Sequence, residues 1–99
     1  MYLVREILNC KPGKVRPLVE KFGVISNALV SRGHEPMVLM TDVGGERFWT
    51  LVAETRVERL DEFMEVEQEL MGDPDVRGAM SGYHDLVEAG RREIYRIEG

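Results

Sequence analysis

The apolar positions of this chain recur with two different periods. Between Tyr2 and Cys10 they alternate: Tyr2, Val4, Glu6, Leu8 and Cys10 share one side, and Leu3, Arg5, Ile7 and Asn9 share the other. Period two belongs to a strand, whose successive side chains leave opposite faces. Lys11-Pro12-Gly13-Lys14 ends it, because Pro12 has no amide to give to a ladder and Gly13 permits a sharp turn. From Lys14 to Arg32 the spacing becomes three and four. Val15, Leu18, Val19, Phe22, Ile25 and Leu29 then lie along one helical face. Pro17 is tolerated in the first turn, where amides lack intrahelical acceptors. Gly33 is a natural stop in the left-handed conformation.

Pro36 to Glu54 returns to the strand period. Gly44-Gly45 supplies two adjacent residues free to take positive φ, as a two-residue type I′ hairpin loop needs. A turn there sets Asp42 opposite Arg47, Thr41 opposite Phe48, Met40 opposite Trp49 and Val38 opposite Leu51. The Asp42–Arg47 pair of opposite charges supports that register. One face then carries Val38, Met40, Trp49, Leu51 and Ala53, and the other Met37, Leu39, Thr41, Phe48, Thr50 and Val52. Neither shows the polar alternation of a sheet wetted on one side.

Val57 to Met71 reads as a second long helix, with Leu60, Phe63, Met64, Leu70 and Met71 as its apolar stripe and Glu58, Asp61, Glu62, Glu65 and Glu69 opposite. Gly72 ends it. Asp73-Pro74 has the form of an N-cap followed by proline at the first helical position, which opens a short helix from Pro74 to about Tyr83. His84 to Gly90 is a connector, and Arg91 to Glu98 the last strand. The order strand, helix, strand, strand, helix, strand gives, with right-handed crossovers, the split βαβ or ferredoxin-like α+β plan. Two helices cover one face of a four-stranded antiparallel sheet. Burying the other face, at about 1.5–3 kcal/mol per large side chain, involves on the order of 10 kcal/mol, comparable with the whole stability of a small domain. A homodimer closed through the sheet faces is the expectation.

Ninety-nine residues make one domain, 1–99. The net charge of −5 argues against nucleic acid or an anionic membrane as the main partner. Cys10 stands alone, which excludes an internal disulfide and a thiolate metal cluster and makes the reducing cytoplasm the expected home. His34 and His84 are too far apart to form a metal signature. No secretory signal or membrane span is expected.

Four short stretches carry a likeness to known proteins: Asn9-Cys10-Lys11-Pro12-Gly13-Lys14 closing strand one, the Asp42-Val43-Gly44-Gly45 turn, Arg59-Leu60-Asp61-Glu62-Phe63 opening helix two, and Gly90-Arg91-Arg92-Glu93-Ile94-Tyr95. With them the chain resembles the dimeric α+β-barrel superfamily, in which ferredoxin-like monomers pair sheet to sheet. The proline-glycine turn and the final strand are most similar to NIPSNAP-like members, whose resemblance implies no particular reaction. Antibiotic-biosynthesis-type and haem-degrading monooxygenases share the plan. The resemblance therefore implies either a dimeric module that binds a small apolar or aromatic molecule, or a cofactor-independent or haem-dependent monooxygenase or isomerase acting on an aromatic compound.

Six residues are the candidates for such a site. Haem-degrading relatives use an asparagine near the end of strand one with a tryptophan and a histidine. Asn9, Trp49 and His84 are the residues here that match in type, although Trp49 lies within the hairpin rather than at the strand-to-helix junction. Asn9 equally suits a turn cap, and Trp49 a core or dimer contact. His84 suits a general base, a haem ligand or a solvated loop residue. Glu67 falls at the centre of the second helix's apolar stripe, four after Phe63 and three before Leu70. A carboxylate there is desolvated and its pKa raised unless it is paired. Tyr83 is a further polar group that would converge on such a pocket. Arg92, with Arg91 and Arg96, suits an anionic small molecule or a charged edge strand that resists aggregation.

Overall fold

A computed structural model describes residues 1–99. Strand β1 spans Tyr2–Cys10 and helix α1 Val15–Ser31, as the two periods predict. Strands β2 and β3 follow at Val38–Thr41 and Thr50–Val57, then helices α2 at Leu60–Met71 and α3 at Pro74–Ala79. A single 3-10 turn, Tyr83–Asp85, leads into strand β4, Val87–Arg96. The sheet order is β2-β3-β1-β4, all antiparallel, which is the ferredoxin-like plan. No helix is long and apolar enough to cross a membrane.

The helices lie on one face. Leu18 and Phe22 of α1 pack onto the sheet, where Val4, Leu8, Leu51 and Ala53 are buried, while Leu29 packs against Leu70 of α2 and Val76 of α3. Ser26 is buried among them because its hydroxyl accepts the Met37 amide at 2.9 Å. Gly33 stops α1 with φ +83°. Asp73 caps α3 as expected: its carboxylate accepts the amides of Asp75 at 2.8 Å and Val76 at 3.2 Å. It also accepts from Arg32 at 2.8 Å, which ties α3 to the end of α1.

The hairpin differs from expectation in its turn and its register. Gly44 and Gly45 are not in the left-handed region; the positive φ falls on Trp49, at 60°. Asp42 does not pair with Arg47. Its carboxylate accepts the Thr50 amide at 2.8 Å, while Arg47 reaches Glu88 of β4 at 3.3 Å. A wide loop over 42–49 therefore replaces the tight turn, and Thr41 stands opposite Leu51 instead of Phe48, three residues away. An odd displacement exchanges the faces of one strand relative to the other. Met37 and Leu39 join Leu51 and Ala53 under the helices, while Val38 and Met40 go outside, opposite Glu54 and Val52.

The outer face is consequently not a continuous apolar surface, contrary to expectation. Arg5 donates to Glu54 at 2.6 Å and lies 3.7 Å from Glu93; Arg91 donates to Glu93 at 3.1 Å, as does the Tyr95 hydroxyl at 3.0 Å. Apolar residues remain beside this charged stripe: Ile7 is buried, and Val38 and Met40 are exposed.

Two boundaries also move. β3 continues through Thr55 and Val57, which pair with Val4 and Tyr2, so α2 begins only at Leu60. β4 begins at Val87, and Gly90 lies inside it opposite Leu8. A Cβ on Gly90 would approach the Leu8 side chain to 3.0 Å. This glycine marks a close approach within a strand, not a connector.

Leu51 is fully buried at the centre of this core. Leu51→Ala is expected to cost about 2–5 kcal/mol in urea unfolding; a loss below about 1 kcal/mol would place the core elsewhere. Arg32, and after it the Val76 amide, hold the Asp73 carboxyl below its ordinary value. A depressed carboxylate adds stability that is complete above about pH 4 and disappears as pH falls through the lowered value. Between pH 5 and pH 2, the unfolding midpoint of the wild type is expected to fall further than that of Asp73→Asn. Parallel declines would contradict this.

Candidate functional site

Helix α2 is fastened mainly at its C-terminal end. Leu70 is buried with Ala28, Leu29 and Val76. Toward its start the helix stands away from the sheet, and Leu60 and Phe63 are only half-buried. Met64 and Met71, expected in the apolar stripe, are instead 65% and 69% exposed. The inward line runs through Phe63, Val66, Glu67 and Leu70, the three-and-four spacing of one helical face.

Between this line and the sheet lies a cavity of about 1040 Å³. Val4, Leu8, Phe22, Ile25, Val66 and Met80 supply apolar wall. Three charged side chains cross the gap. Arg92 of β4 donates through Nε to Glu6 of β1 and through Nη2 to Glu67 Oε1, at 3.1 Å. Its guanidinium also lies 5.1 Å from the centre of the Phe63 ring, within reach of a cation–π contact. Burial is the largest influence on the Arg92 pKa and lowers it, but the hydrogen bonds to Glu67 and Glu6 together raise it above the ordinary value. Glu67 Oε2 lies 3.0 Å from the same nitrogen, yet it accepts no hydrogen bond and is shut off from water.

Tyr83 reaches the cavity through the chain's turn after α3. Lys21 of α1 donates to the carbonyls of Ala79 at 2.6 Å and Ser81 at 2.7 Å, fixing the end of α3. Gly82 takes φ +81°, a conformation that favours glycine, and Tyr83 follows on the cavity wall. Burial, and then the nearby charge of Glu6, push the Tyr83 phenol up. It therefore remains a neutral donor across the ordinary pH range.

The fold thus gathers Glu67, Tyr83 and Arg92 on one cavity and leaves the other three candidates outside it. Asn9 is buried on the opposite face of the sheet, where the Thr50 hydroxyl lies 3.4 Å from its Oδ1; it lines a separate, polar hollow of about 550 Å³. Trp49 is 44% exposed at the end of the wide loop, its carbonyl accepting the Cys10 amide at 2.8 Å. His84 is exposed, edge-on to the Tyr83 ring at 5.2 Å. Glu6 was not a candidate in the sequence. Its signal was present: a carboxylate between Val4 and Leu8 on the core-facing side of a strand is the same anomaly at period two that Glu67 presents at helical period.

No family model matches the chain, and no curated protein matches it in sequence. Solved structures do. A NIPSNAP family protein from Agrobacterium tumefaciens superposes with a TM-score of 0.82 at 14% identity, over 98% of this chain and 85% of that one. An uncharacterised NIPSNAP domain protein from Burkholderia xenovorans gives 0.81 at 11% identity, over 99% and 95%. A protein from Deinococcus radiodurans, provisionally an antibiotic biosynthesis monooxygenase, gives 0.67 at 14% identity, over 100% and 94%. The ferredoxin-like fold and the likeness to NIPSNAP-type and monooxygenase-type structures are both borne out. At such identities the likeness establishes fold, and what the site does rests on its own residues.

Proposed function

We propose that the protein binds a small apolar or aromatic molecule between the sheet and α2, and does so as a homodimer. The observation that carries the first part is the cavity itself. Its volume of about 1040 Å³ suits a small organic molecule. Its walls are largely apolar, and its polar groups, Glu6, Tyr83, Glu67 and Arg92, converge rather than scatter. Haem has no part in this reading. Asn9, Trp49 and His84 lie outside the cavity, and Arg92, the cation a propionate would seek, is already shared by two carboxylates.

The support for the dimer is the outer sheet face. Val38 and Met40 are exposed there, at 56% and 38%. They stand beside a stripe that carries both signs of charge, Arg5 and Arg91 with Glu54 and Glu93. A two-fold axis sets this patch against itself, and a stripe carrying both signs can then meet opposite charges, so a second copy would cover the apolar positions without isolating a charge.

A second reading, chemistry on the bound aromatic compound, is favoured by one observation: Tyr83 and Glu67, a proton donor and a carboxylate, share the cavity. Consumption of dioxygen with an electron-rich phenol, lost in Tyr83→Phe, would support it.

Calorimetric titration with 2-naphthylmethanol tests the binding reading. One molecule is expected to bind per chain, about tenfold more weakly in Phe63→Ala and not at all in Val66→Trp, which fills the space. Absence of binding to the wild type rejects the proposal. For the dimer, sedimentation at micromolar concentration is expected to give twice the chain mass for the wild type and the single-chain mass for Met40→Asp. A folded wild-type monomer would refute that half.

A further inference from the structure

The charge balance of the cavity says which polar end its ligand carries. Glu6 and Glu67 share Arg92 alone, so the cluster holds one negative charge in excess. The rest of the lining adds Glu35, Glu58 and Glu62 against Arg56 and Arg77, and the excess remains negative. An anionic ligand would enter against that field, and it would find Arg92 already engaged on both sides. A cation would enter with it.

The two carboxylates are not held equally. Glu6 takes the Nε hydrogen of Arg92, while Glu67 shares Nη2 between its two oxygens and satisfies only one. Oε2 lies 3.0 Å from that nitrogen but accepts no hydrogen bond from it and is shut off from water, which leaves an acceptor unsatisfied. A new donor beside Glu67 relieves this, and Arg92 keeps Glu6 when Glu67 turns away. Phe63 adds a second welcome, since its ring already accepts a cation at 5.1 Å.

We infer that the ligand is an aromatic or alicyclic amine, its ammonium group taking Glu67 from Arg92 and its ring lying along the apolar wall toward Val4, Leu8 and Val66. This rests on the binding reading above and specifies its chemistry. It also gives the unusual placement of Glu67 a use: a carboxylate in the middle of an apolar helix face, loosely held, is an exchangeable partner for a ligand cation.

Three probes of one shape test this by calorimetry at neutral pH: 2-naphthylmethylamine, 2-naphthylmethanol and 2-naphthoate. The amine is expected to bind at least about tenfold more tightly than the alcohol, with the carboxylate weakest. In Glu67→Gln the ratio of amine to alcohol affinity is expected to fall to about one. In Glu65→Gln, an exposed position on the same helix, that ratio is expected to stay as in the wild type. Equal binding of amine and alcohol by the wild type, tighter binding of the carboxylate, or a preference that survives Glu67→Gln would each overturn the inference while leaving the cavity reading intact. Failure of all three probes to bind would overturn both. Far-ultraviolet circular dichroism of each variant confirms that α2 is retained.

Discussion

The gap between α2 and the sheet exists because three charged side chains stand in it. Charges drawn partly out of water are held best by partners at hydrogen-bonding distance, and Arg92 provides that partner for one carboxylate on the sheet and one on the helix. Side chains of this length, tied end to end, hold the elements further apart than leucine against leucine would. Apolar residues at positions 6, 67 and 92 would let the helix settle onto Val4 and Leu8 and remove the cavity. The ionic bridge therefore spaces the layers as well as joining them. The resulting interior is apolar in area and polar at one place, the condition under which a small molecule is both held and oriented.

The same bridge explains why α2 is fastened unevenly. Its C-terminal end packs through Leu70 against Ala28, Leu29 and Val76, and Arg32 lies 3.9 Å from Glu69 nearby. Earlier along the helix the principal ties to the sheet are Glu67 and Phe63 through Arg92. Local stability follows the density of buried contacts, so the start of α2 is the part of the fold best able to yield when something enters the cavity. The end of α3 is held differently, by Lys21 on two carbonyls, and Tyr83 is set on that firmer side.

Much of this was legible in the sequence because it depends on periodicity. β1 and α1 read directly from spacings of two and of three and four, and Glu67 stood out as a break in its pattern. Glu6 breaks a pattern in the same way, but a glutamate at the middle of a strand also suits a solvated face until the strand's covered side is known. The hairpin was not legible. Gly44-Gly45 permits a tight turn without requiring one, and the Asp42 carboxylate has a better partner in the Thr50 amide than in Arg47. No spacing in the chain announces that choice, and being an odd displacement it reverses a whole strand. The end of β3 and the start of β4 were missed for a related reason: Thr55, Val57 and Gly90 take their roles from the strand opposite, not from their neighbours in sequence.

That reversal changes the reasoning about a partner subunit more than it changes the fold. With the expected register, an apolar outer face would demand cover on hydrophobic grounds alone. With the observed one, Leu39 and Met37 are spent on the inner core, and the outer face presents Arg5, Glu54, Arg91 and Glu93 beside Val38 and Met40. A mixed surface of this kind tolerates water, so cover by a second copy depends on matched charges as much as on area. In the proposed dimer, specificity of pairing would come from the polar stripe and affinity from the few exposed apolar residues. The cavity and the outer face lie on opposite sides of one sheet, and β1 belongs to both: Glu6 points into the cavity, and Arg5 and Ile7 lie on the outer face. On the proposed reading, a displacement of that strand on one side is felt on the other, so a ligand and a second copy would act through one shared element.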